Sequence, residues 1–144
     1  MFCMLLLLAL TAGTIDVQWS PDAAPVITRG PLGDRVTLAG SAPSGDPGTP
    51  LLPAVPVMVL LPQGAVAGGV EVIYADEVLL STGFTPMAAQ AGAPISMPES
   101  FSITPADAEA FSNPVEAGTR LAGQGTLMGY TVANIGIRPF QWDP

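Results

Sequence analysis

The sequence predicts an all-β domain, a β-sandwich carrying one short helix and one long irregular insertion. Three observations predict it. The 144 residues include 16 Gly and 16 Pro, a density that breaks long helices and supplies turns. Several short stretches alternate apolar and polar side chains, the period of a half-buried strand. Apolar residues make up 49% of the chain and charged residues 11%, which argues for a packed core and against disorder. A chain of this length holds one domain.

Residues 1–13 (MFCMLLLLALTAG) contain an apolar run followed by Thr11, Ala12 and Gly13. The run is shorter than the roughly 20 residues a bilayer span requires. It reads as the hydrophobic region and cleavage zone of a signal peptide, so the mature chain is expected to be secreted or at a bacterial cell surface. Cys3 lies before the apolar run, where a lipid-attachment cysteine would not be. Residues 14–34 are expected to form an N-terminal strand at 15–19 (IDVQW) and then a Pro/Gly-rich loop with a short extended piece at 26–28. Residues 35–39 (RVTLA) alternate, with Val36 and Leu38 pointing one way and Arg35 and Thr37 the other.

The main β domain is expected over residues 35–144. Residues 40–56 include Pro43, Pro47, Pro50, Pro53 and Pro56. Proline cannot donate to a sheet ladder, so this segment reads as a surface connection or an extended edge. Residues 57–61 (VMVLL) read as a central strand buried on both faces, ended by a turn at 62–64. Residues 70–74 (VEVIY) alternate, Asp76 and Glu77 break the pattern, and 78–81 read as a short returning strand. Residues 82–118 form the insertion, with Pro86, Pro94, Pro98, Pro105 and Pro114. Within it, 104–111 read as a two-turn helix with Thr104 as N-cap and Pro105 at the first helical position. The clearest strand lies in residues 125–144 (GTLMGYTVANIGIRPFQWDP). There Thr131, Ala133, Ile135 and Ile137 share the face expected to meet the core. Pro139 ends the run, and Phe140 and Trp142 point the same way.

The chain has no His and no Lys, and its formal net charge is −8. Without His it cannot hold Ser-His-Asp or Cys-His machinery or the common His-based zinc sites. With Arg29, Arg35, Arg120 and Arg138 against 12 acids it lacks a phosphate-binding patch, which excludes nucleic acid as a partner; anionic membranes repel it. The acids at turns lack calcium-loop spacing. The Gly-rich residues 64–69 are followed by no Lys or helix, so they read as a hairpin connection rather than a phosphate cradle. Trp19 and Trp142 read as core or rim packing in preference to a ligand platform. No catalytic residue, metal site or cofactor is expected.

Residues 125–144 resemble the end of the propeptide domain of gingipain-type cysteine peptidases, secreted bacterial enzymes specific for Arg or Lys. The resemblance rests on Gly129, Val132, Ala133, Ile135, Pro139, Gln141, Asp143 and Pro144, with Trp142 where Tyr is usual. Residues 45–65 (GDPGTPLLPAVPVMVLLPQGA) and the following VEVIYADEVLL resemble two further blocks of the family, in the same order. The resemblance implies a β-sandwich propeptide that assists folding of a peptidase and keeps it latent, its partner being the catalytic domain in cis. It also implies that the fold continues into strands beyond Pro144. In the family a basic side chain on a propeptide loop can fill the specificity pocket. Here the turn before the last strand carries Leu127 and Met128, and Arg120 is the nearest basic residue, so Arg120 and Met128 are the candidate inhibitory contacts. A secreted β-sandwich that binds other targets, without a peptidase, is the alternative.

Overall fold

A computed structural model of the chain describes residues 13–73, 77–92, 96 and 102–144. The expected signal peptide lies almost wholly outside the described residues. The fold is all-β, as expected. Six strands follow in order: β1 (Val26–Thr28), β2 (Arg35–Thr37), β3 (Ala42–Ser44), β4 (Leu52–Leu60), β5 (Gly118–Leu127) and β6 (Tyr130–Arg138). They form two antiparallel sheets, a β1–β2 hairpin and a four-stranded sheet in the order β3-β4-β6-β5.

The prolines of β4 correct the sequence reading. Residues 42–44 do form an edge, but Pro53 and Pro56 belong to a strand second in its sheet. The register explains how. The Leu61 N–H donates to the Thr131 carbonyl at 2.9 Å. Bonding positions of an antiparallel ladder recur every second residue, so Val59, Val57 and Val55 bond to β6. Pro56, opposite Gly136, falls between bonding positions and loses nothing. Pro53 faces Pro43 in the same way on the β3 side. The next bonding position toward β6 would set Pro53 against Pro139. Neither has an N–H, and the ladder stops at Val55 opposite Ile137. Because β3 covers residues 52–54 and β6 covers 55–60, no residue of β4 is flanked on both edges.

β4 is also not buried on both faces. Val55 and Val59 are buried, whereas Met58 and Leu60 are 55% and 60% exposed. In β6, Ala133 is buried and Thr131, Ile135 and Ile137 are half-buried, as their shared face predicts. Val132, on the opposite face, is buried too.

The hydrophobic core sits at one end of the large sheet. Val36, Leu52 and Trp142 are its buried centre, and Ile27, Phe84, Phe111, Val115 and Phe140 pack against it. Phe140 and Trp142 thus share a face, as their spacing predicts. Trp142 exchanges backbone hydrogen bonds with Val115 at 2.8 and 2.9 Å. Its indole Nε1 donates to the Phe84 carbonyl at 2.9 Å, and its ring meets Phe111 edge-on with centroids 5.6 Å apart.

Part of the long irregular insertion is paired on both sides. Thr85 and Met87 bond on one side to Asp34, while Met87 and Ala89 bond on the other to Leu51, Thr49 and Gly48. This extended piece ties the hairpin to the large sheet, and Pro86, Ala88 and Ala89 are buried in it. The approach is close enough that a Cβ on Gly33 would lie 2.7 Å from the Met87 Cα. Asp34, itself buried, accepts from the Thr85 N–H at 3.0 Å and from Arg29. Arg29 also donates to the Gly83 carbonyl at 2.8 Å.

Three expected strands are not formed. Residues 15–19, 70–73 and 78–81 are described without strand pairing, and Tyr74 and Asp76 lie outside the described residues. Ile73 is 92% and Leu79 80% exposed. Alternation states which side a strand would bury but not that a neighbouring edge is available to pair with it. Residues 64–69 are accordingly not a hairpin connection. The Gln124 side chain holds them instead, accepting from the Ala67 N–H at 2.8 Å and donating to the Ala65 carbonyl at 2.9 Å. The expected helix shrinks to one 3-10 turn, Ala110–Ser112. Its N-cap is Glu109 rather than Thr104, and just ahead of it the Asp107 Oδ1 accepts from the Glu109 N–H at 2.9 Å and the Ala110 N–H at 3.3 Å. The Thr104 N–H is bonded to the Gln90 side chain at 2.9 Å.

Candidate functional site

The end of the large sheet away from the core is built by the β5–β6 hairpin. Its loop is Met128–Gly129, with φ of 50° and 86°. Positive φ at both central residues marks the two-residue turn whose twist matches that of the flanking strands. Gly adopts this backbone freely; Met does so at a cost. Met128 is 92% exposed at the tip.

The register then defines the outer face. Leu60 stands opposite Val132, Met58 opposite Asn134, and Leu127 opposite Tyr130. Met58, Leu60, Leu127, Met128, Tyr130 and Val132 line one concavity of about 250 Å³. Tyr130 is 63% exposed. A cluster of exposed apolar side chains of this kind marks an interaction surface more often than isolated ones do.

Arg120 lies on the same face, opposite Gly136, near the start of β5. The sequence shows it in an otherwise uncharged Gly/Ala stretch, and the structure places it in a ten-residue strand. A bulge between Leu121 and Gly123 separates it from the hairpin end. At about 3.4 Å per residue, Arg120 and the tip at Met128 stand roughly 25 Å apart. The two candidate contacts share a face but cannot enter one pocket together. Arg120 rises from the edge strand β5, whereas Met128 projects from a turn. Arg138 also lies on this face, half-buried near the core, and its Nε is buried without a hydrogen-bond partner among the described residues.

The remaining motif residues divide by role. Gly129 serves the turn, and Pro139 stands where the ladder to β4 stops. Trp142 is 8% exposed in the core, while Gln141, Asp143 and Pro144 are exposed. Trp19 is half-buried. The apolar outer face and the strand β5 were hidden in the sequence. The signal that could have found them is the pair Met128–Gly129, a two-residue turn between Leu127 and Tyr130.

No family model matches the chain, and no curated protein matches it. Among solved structures the likeness is in the fold. The chain folds like a chain of the gingipain K zymogen. That chain comes from a study of the zymogenic latency of gingipain K from Porphyromonas gingivalis, and the likeness has a TM-score of 0.56 at 24% identity. It covers 83% of this chain and 70% of that one. At this identity the likeness speaks for the fold, which is gingipain-like.

Proposed function

We propose that the chain is the N-terminal propeptide of a secreted cysteine peptidase, which it helps to fold and holds latent by binding the catalytic domain in cis. The observation that carries this reading is the likeness over 83% of the chain to a structure from a zymogen-latency study. Two features support it. The resemblance of residues 45–65 and 125–144 to gingipain propeptides involves the segments that form β4 and the β5–β6 hairpin. The hairpin also ends in a narrow two-residue turn carrying the exposed Met128, a shape that can enter a cleft. In this reading Met128 is the contact that reaches the cleft, and Arg120 contacts the enzyme behind it. Residues 1–13 are the signal peptide that directs the precursor out of the cell.

The test is inhibition. Purified chain added to a gingipain-type catalytic domain from the same organism is expected to inhibit it reversibly and to raise its refolding yield. The absence of both effects at micromolar chain would remove the reading.

A further inference from the structure

We propose that the outer face of β4, β6 and β5 is the docking surface for an acidic surface element of a protein partner. Resting on the latency reading, that partner is the peptidase domain.

The first observation is charge. The chain carries −8 overall, yet β4, β5 and β6 contain no Asp or Glu. Two of its four arginines, Arg120 and Arg138, lie on the outer face of these strands, where Gly118 faces Arg138 and Arg120 faces Gly136. The salt bridge formed among the described residues belongs to Arg29 and Asp34, in the other half of the molecule. This face therefore carries positive charge on an acidic protein, and neither arginine forms an ion pair among the described residues. Complementary charge of this kind steers association and fixes register.

The second observation is shape. Gly118, Gly125 and Gly136 lie on the same face, and a Cβ at any of them would meet no atom within 4 Å. None has positive φ. Glycine inside a strand weakens it, and close approach of another backbone is a usual reason for its presence. Among the described residues nothing makes that approach, and the strip of small residues is uncovered there. The strip runs from the two arginines to the apolar concavity at the hairpin end. A partner that fits carries carboxylates at one end of its footprint and apolar side chains at the other. A second copy does not fit, because a two-fold contact sets the arginines against each other or against the apolar end, and strands without Asp or Glu offer them no carboxylate either way.

The test uses the full chain titrated into the gingipain-type catalytic domain, with inhibition and binding measured at low and high salt. Arg120→Glu is expected to weaken binding at least about tenfold and to abolish most of its salt dependence. Gly125→Gln adds a side chain in open space, so it is expected to unfold at the wild-type temperature yet weaken binding by a similar factor. If wild-type chain inhibits and both variants inhibit equally well, the face is wrong and the latency reading stands. If wild-type chain neither binds nor inhibits, the latency reading fails and this inference falls with it.

Discussion

The two ends of the large sheet differ in what their side chains meet. At one end Leu52 and Trp142 are buried against Val36, and the Arg29–Asp34 clasp and the paired segment around Pro86 bind the second sheet on. At the other end the same strands leave Met58, Leu60 and Tyr130 largely exposed, and the tip residue adopts a left-handed backbone that its side chain disfavours. At the first end the large apolar side chains are enclosed; at the second Val59, Val132 and Ala133 stay buried while Met58, Leu60 and Tyr130 face outward. Stability and contact with a partner are therefore assigned to opposite ends of one sheet, and mutations can separate them.

The largest effects are expected at the anchored end. Trp142→Ala removes a buried ring and the bond to Phe84, and should cost about 3–5 kcal/mol in denaturant unfolding. A cost below about 1 kcal/mol would mean that the core lies elsewhere. Asp34→Asn keeps the shape but removes the charge held by Arg29 and the Thr85 N–H. Since Arg29 is half-exposed, with a side chain 53% accessible, the loss should be about 1–2 kcal/mol. Hydrogen exchange should then show the Thr85 and Met87 amides losing protection first.

At the open end the sign reverses. Met128→Asn places in the turn a residue that tolerates positive φ, and should stabilise the chain by about 0.5–1 kcal/mol. Leu60→Asn, on the exposed face, should move the unfolding midpoint least, by no more than about 0.5 kcal/mol. A large loss from Leu60→Asn would show that this face is covered within the chain, and the contrast between the ends would disappear.

How far the sequence could be read follows the same division. Alternation with a nearby partner was legible: β2, the faces of β6 and the shared side of Phe140 and Trp142 all follow from period two. Proline was misleading in β4, because its cost depends on whether a position bonds to a neighbour, and that is set by register with a strand some 75 residues away. Residues 70–73 show the converse, a well-alternating stretch without a partner edge. The outer face was legible only in fragments, since Met58 and Leu60 read as core until β4 is seen to lack cover on that side. Arg120 could not be placed, because Gly and Ala around it carry no period. Its strand is specified by the turn at Met128–Gly129 and by pairing with β6.

The most direct measurement of the central claim compares wild-type chain with Met128→Asn in both unfolding and inhibition of the gingipain-type catalytic domain. A tip kept for contact at the expense of stability predicts a variant that unfolds at higher denaturant and inhibits at least about tenfold more weakly. A variant that is more stable and inhibits as well as wild type would contradict the assignment of the open end to the partner.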